Sequence, residues 1–150
     1  MAMTLSGDSG IVQPTAAAPA FSAYQSTQQT GIASSTFTKI LFQTEEFDTN
    51  SNFASSRFTP TVAGYYQVNS AVYMVNNCQL AVSIYKNGSE FKRGNYPSGT
   101  TQLAAVVSSL IYLNGTTDYI EIYAYSGGSS NSCIANSALT YFQAAFIRST

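Results

Sequence analysis

The sequence predicts an all-β domain, and three observations carry that expectation. Short apolar alternations recur at spacings near the ~8–12 residues of a sandwich or barrel, bounded by Gly, Asn and Ser clusters. Eleven Tyr and nine Phe, with many Val, Ile and Thr, suit pleated surfaces. No window offers an apolar stripe at helical spacing. With 150 residues the chain is one domain with a sizeable core.

Residues 1–20, MAMTLSGDSGIVQPTAAAPA, mix small residues, glycines and prolines without period and read as an extended arm or attachment segment, leaving 21–150 as the globular part. The clearest strand is Gly64 to Val75, with Tyr66, Val68, Val72 and Met74 on one face and Tyr65, Gln67, Asn69, Ala71 and Tyr73 on the other. Gln79 to Tyr85 follows, with Leu80, Val82 and Ile84 on one side. Asn87-Gly88 is a hairpin turn signal, and Ser89 to Tyr96 is the return strand. Leu103 to Leu113 is a nearly continuous apolar run, as in a strand covered on both faces. Asn114-Gly115 turns it toward Asp118 to Tyr125, where Ile120, Ile122 and Ala124 oppose Tyr119, Glu121, Tyr123 and Tyr125. Ser126 to Ser132 reads as a flexible loop and Ala138 to Ile147 as the last strand, for about eight to ten strands, the number a jelly roll uses.

Composition excludes several function classes. Only 9% of residues are charged and the net charge is −1, so neither nucleic acid nor an anionic membrane has an electrostatic footprint to meet. Lys92-Arg93 is the only adjacent basic pair and reads as a solvated edge. Histidine is absent, which removes the commonest proton shuttle and metal ligand. There is no G-x-S-x-G elbow either, so no catalytic residue is expected. Glu45, Glu46 and Asp48 form the densest acidic cluster, but EEFDTNSN lacks the ligand spacing of a calcium loop and reads as a solvated loop, with no metal and no cofactor expected. Two cysteines, Cys78 and Cys133, allow one internal disulfide or two thiols. The sequons at Asn87 and Asn114 coincide with turns. Met1 to Val12 has no signal-peptide pattern and no apolar run of ~18 residues occurs, so neither secretion by a visible signal nor membrane insertion is expected.

From Phe21 to Ile147 the chain resembles the globular C1q domain of the C1q/TNF-like jelly rolls. Phe42, Asp48 and Phe53 precede Phe58-TPTVAGYYQVN, which is similar to the family's F-x5-G-x-Y-x-F with Val68 in the last aromatic place. SIYKNGSEF (Ser83 to Phe91), SLIYLNGTTDYIEIY (Ser109 to Tyr123) and YFQAAFI (Tyr141 to Ile147) follow in the family's order. The chain departs from it in a Phe53–Phe58 spacing two residues short, in Ala144 where the family has glycine, and in the lack of a collagen Gly-X-Y stalk. The opening residues resemble those of bacteriophage structural proteins that carry a C1q-like head.

The resemblance implies an all-β jelly-roll sandwich in a compact homotrimer, both termini at the base. Tyr65, Gln67, Asn69 and Tyr73 would face the threefold neighbour. The displayed distal loops would offer Asn76, Asn77, Asn95, Tyr96, Ser98, Thr100, Ser126, Ser129, Ser130 and Asn131 to a ligand. Cys78 and Cys133 would both lie near the apex, within reach of a disulfide. The calcium site of some relatives is not carried over, because the proposed distal loops contain no carboxylate. The function expected is that of a non-enzymatic virion protein, assembled in the host cytoplasm. It would attach to other virion proteins through residues 1–20 and bind a host-surface glycan or protein as a tail fibre or spike tip. The alternatives are a capsid or tail decoration (cement) protein and a secreted lectin-like domain.

Overall fold

The computed structural model describes residues 5–6, 10–11, 18–76, 78–128 and 131–149. Along the chain run β1 (Leu5–Ser6), β2 (Gly10–Ile11), β3 (Ala20–Tyr24), β4 (Gln29–Ile32), β5 (Phe37–Lys39), β6 (Thr44–Asp48), β7 (Phe53–Ala54), β8 (Arg57–Phe58) and β9 (Gly64–Met74). They continue as β10 (Cys78–Lys86), β11 (Ser89–Arg93), β12 (Ser98–Gly99), β13 (Leu103–Leu113), β14 (Ile120–Gly127), β15 (Asn131–Cys133) and β16 (Tyr141–Arg148). There is no helix among the described residues. The pair β1–β2 forms a small hairpin of its own.

Two seven-stranded sheets make the sandwich. Sheet I runs β4-β15-β9-β16-β3-β6, with β13 on the other side of β9. Sheet II runs β11-β10-β14-β8-β7, with β12 joined to β10 and β5 to β14. The longest ladder pairs all eleven residues of β9 with β13, from Leu103 opposite Met74 to Leu113 opposite Gly64. Because side chains alternate along a strand, this register puts Tyr66, Val68, Val72 and Met74 inside with Ala105, Val107, Ile111 and Leu113. From sheet II, Leu80, Val82, Ile84, Ile120, Ile122 and Ala124 meet them. One end of the core is aromatic: Phe21 stacks on Phe53 and Phe58 at centroid distances of 4.7 and 4.5 Å and meets the edge of Phe142 at 4.8 Å. The Tyr66 hydroxyl donates to the Val62 carbonyl at 2.7 Å, and burial pushes its pKa up to about 12.

The turns follow sequence chemistry where Asn-Gly occurs. Asn87 and Gly88 have φ of 52° and 81°, as a two-residue hairpin turn requires. At Gly115 the backbone of Val62 and Ala63 lies so close that a Cβ would overlap it.

Several expectations need correction. Leu103 to Leu113 is not covered on both faces: Ala104, Val106, Ser108, Leu110 and Tyr112 are exposed, because β13 is the edge of sheet I and only its odd residues face the core. Glu45, Glu46 and Asp48 belong to strand β6, paired with β3, and not to a loop. The Ser126–Ser132 segment is largely strand, since β14 extends to Gly127 and β15 starts at Asn131. Short pieces such as β7, β8 and β12 raise the strand number above ten.

Candidate functional site

Three surfaces are candidates: the end of the sandwich away from Pro19 and Arg148, the outward face of sheet I and the outward face of sheet II. The first gathers most of the distal-loop residues. Gly99 pairs with Cys78, Gly127 with Gln79 and Asn131 with Ile32, which brings residues 76, 95–101, 126–128 and 131 to one end. Asn76, Asn95, Tyr96, Ser98 and Thr100 are exposed there. Ser126 and Asn131 are buried, against the expectation that they are displayed. The Ser126 carbonyl accepts the Ser35 amide, while Asn131 Oδ1 accepts the Asn76 and Ser132 amides and its Nδ2 donates to the Asn76 carbonyl. Both residues hold the loops in place, because a buried polar group must be paired. Asn95 also works structurally, its Oδ1 accepting the Val106 amide at 2.7 Å. Asn77, Ser129 and Ser130 lie outside the described residues, as does the Cys78 side chain and with it the expected Cys78–Cys133 pairing. Cys133 is buried, with Sγ 3.6 Å from Met74 Sδ.

The outward face of sheet I holds Tyr65, Gln67, Asn69 and Tyr73 side by side with the even residues of β13. At its centre Gln67 Nε2 donates to Ser108 Oγ at 2.9 Å, and Ser108 Oγ donates to Asn69 Oδ1 at 2.8 Å. Around this amide network the surface is apolar. Val106, Leu110 and Ile147 are 53%, 54% and 56% exposed, and Tyr65 packs against Tyr112 at 5.6 Å. A concavity of about 280 Å³ opens among Tyr65, Leu110, Ile147 and Arg148. A second, of about 140 Å³, is floored by Ala20, Ala144 and Ala145 and walled by Phe47, Gln67, Asn69 and Gln143.

The outward face of sheet II is polar and aromatic, and neither its ion network nor its ring contacts was read from the sequence. Glu121 is 3% exposed, and its Oε1 accepts Lys39 Nζ at 2.7 Å and Arg57 Nε at 2.9 Å. Burial acts to raise its pKa, but the hydrogen bonds from Lys39 and Arg57 outweigh that and hold the carboxyl below the usual range. The Arg57 guanidinium lies 3.8 Å above the Tyr119 ring. Tyr85 and Tyr123 stack at 4.0 Å, Phe37 leans on Tyr85 and Tyr125, and Arg93 sits 5.1 Å over Phe37 while gripping Glu90 with Nε and Nη2. The signal was the period-two run Tyr119, Glu121, Tyr123, Tyr125, but strands from distant sequence supply every partner.

Among the described residues no serine hydroxyl is bonded to a lysine amine. S-x-x-K spacing occurs at Ser83–Lys86 and Ser89–Lys92, but on strands, where no helical turn brings such residues together. Ser83 Oγ donates to Glu90 at 2.7 Å, and Lys86 pairs with Asp118 at 2.8 Å. Among the described residues no group of three or more metal-ligating side chains gathers. Both sequon asparagines are tied into turns: Asn87 Nδ2 donates to Asp118, and Asn114 Oδ1 accepts the amides of Thr116, Thr117 and Asp118.

No protein-family model and no curated protein matches the chain by sequence. Solved structures match it in shape. The globular domain of zebrafish complement 1qA protein superposes over 89% of this chain and 99% of its own, with TM-score 0.66 and 15% identity. Murine APRIL covers 87% of this chain and 99% of its own at TM-score 0.67 and 9% identity. The Eiger TNF of S. frugiperda covers 89% and 94% at TM-score 0.70 and 7% identity. With two antiparallel sheets packed around one core and these neighbours, the chain has the C1q/TNF-like jelly-roll fold.

Proposed function

We propose that the protein is the homotrimeric, non-enzymatic recognition head of a bacteriophage particle, attached through residues 1–20 and presenting the end away from Pro19 and Arg148 to a host surface. The observation that carries the trimer is the outward face of sheet I. Val106, Leu110, Tyr112, Tyr65 and Ile147 leave a contiguous apolar area in water on a chain with few charges to keep it soluble, and such a patch marks a contact surface. A second copy covers it, with the Gln67–Ser108–Asn69 network supplying polar groups for register. The zebrafish complement 1qA and Eiger TNF likenesses support a recognition domain on this scaffold, and the phage setting rests on the resemblance of the opening residues to those of phage structural proteins. Binding at the apex would rest on shape and neutral hydrogen bonds from the exposed Asn76, Tyr96, Ser98 and Thr100.

Electron cryo-microscopy of purified particles tests this reading. Trimers at a fibre or baseplate tip, apex outward, are the expected result. A regular array over capsid or tail junctions would make the protein a cement protein and overturn the receptor-binding role.

A further inference from the structure

The net charge of −1 hides a segregation. Five of the six basic residues, Lys39, Arg57, Lys86, Lys92 and Arg93, lie on strands of sheet II, where only Glu90, Glu121 and the neighbouring Asp118 oppose them. The other carboxylates of the globular part, Glu45, Glu46 and Asp48, are all on β6 of sheet I. The register puts Lys39, Arg57 and Arg93 outward with Glu90 and Glu121, and pairs Lys86 and Lys92 with the core-facing Ile120 and Ile84, so the outward face of sheet II carries a small positive excess in a net negative chain. It is also where the rings gather, in unbroken contact from Arg93 over Phe37 to Tyr85 and Tyr123, and on through Glu121 to Arg57 and Tyr119.

We propose that this face binds acidic glycans, pyranose rings packing on the Phe37–Tyr85–Tyr123 strip and their carboxylates taken by the guanidinium groups of Arg57 and Arg93. The rings pack on one another and are half-buried, and the aromatic surface they leave open attracts the polarised C–H groups of a sugar. Arg57 is anchored by its Nε to Glu121 and by its plane to Tyr119, so its terminal N–H donors are held in one place with little entropy left to lose. Arg93 is similarly fixed on Glu90 through Nε and Nη2, leaving the Nη1 donors free for a ligand. Glu90 and Glu121 within the patch leave too small an excess of positive charge to track a phosphate backbone, which favours a sparsely charged polymer over nucleic acid. The surface lies on the sheet away from the proposed subunit contact, so it does not require the trimer, and it meets the apex at Tyr96, whose ring lies 6.0 Å from that of Tyr125.

Calorimetric titration of the full chain with oligogalacturonate, beside a neutral malto-oligosaccharide of equal length and oligo-dT, tests it. The expected result is binding of the acidic sugar that weakens with salt, no binding of the neutral one, and a loss of about tenfold in affinity for Arg57→Gln and for Arg93→Gln. Should Arg57→Gln fail to fold, amide shift mapping on the unaltered protein replaces it, with perturbations expected on β5, β10 and β14. Absence of binding, equal binding of the neutral sugar or oligo-dT, or unchanged affinity in folded Arg variants would overturn the proposal. Perturbations confined to Asn95–Thr101 would overturn it while supporting apical recognition.

Discussion

Glu121 shows how much one side chain can organise in a chain with so few charges. Replacing it with Gln removes the negative charge that pairs with two cations, each still partly open to water, at a cost of about 2 kcal/mol in urea unfolding. Its depressed pKa also sets a pH dependence. A carboxyl held below its unfolded value contributes stability in full above that value, near ~4.3, and loses it as pH falls through the folded pKa. Asp118 behaves alike: burial raises its pKa, but bonds from Lys86, Asn87 and the Asn114 amide lower it further. Glu90 does too, held down by Arg93 against burial and helped by Ser83. The urea midpoint should be level above about pH 5 and drop below it, and Glu121→Gln should flatten the drop. A drop as steep in the variant would show that Glu121 has no part in it. In the core, Phe21→Ala should cost about 3–5 kcal/mol, because three rings pack on it.

At the level of elements, legibility divides the chain. The strands β9, β10 and β14 were readable because each runs eight residues or more with period-two alternation, and β13 as a long apolar run whose exposed face was not, with Asn-Gly closing two of the turns. The stretch from Gln29 to Phe58 was not. It breaks into strands of two to five residues, and its turns use serines, Ser35, Ser51, Ser55 and Ser56, at φ of 51–57° where glycine or asparagine is the usual signal. Ser56 shows the local reason. It is buried, and its hydroxyl both accepts the Phe42 amide at 2.8 Å and donates to the Phe42 carbonyl, so tertiary bonds hold a backbone that the residue type does not favour. Ser56→Ala should therefore destabilise by about 1–3 kcal/mol, leaving a buried amide unpaired. Gly88→Val should cost about 1 kcal/mol or more, since its φ of 81° suits only glycine well. Thermal unfolding of both checks the pair, and a Gly88 variant of unchanged midpoint would refute the turn assignment.

For the whole molecule, the decisive quantity is the number of subunits. Multi-angle light scattering should give three chains per particle for the native protein and one for Leu110→Arg, with unchanged circular dichroism, since position 110 is exposed and outside the core. A native monomer would refute the subunit contact on sheet I. In the receptor-binding role, Tyr96→Ser with Thr100→Lys should abolish adsorption of particles to host cells and leave the particles intact, because both residues are exposed and outside the core. Ser126 and Asn131 are unsuitable for that experiment, as changes there would disturb the loops themselves.

Alternation, aromatic content and Asn-Gly turns are local properties that burial obeys, so the all-β class, the long strands, the inward faces of β9, β10 and β14 and the Tyr65–Gln67–Asn69–Tyr73 face are legible in the chain itself. That β13 is an edge strand with one bare face, that Ser126 and Asn131 are buried, and that Lys39, Arg57 and Glu121 meet emerges when the sheets assemble. Those outcomes depend on which strands become neighbours. Pairing between residues 64 or 82 positions apart, as for Glu121 with Arg57 and Lys39, leaves no trace in any short window of the chain.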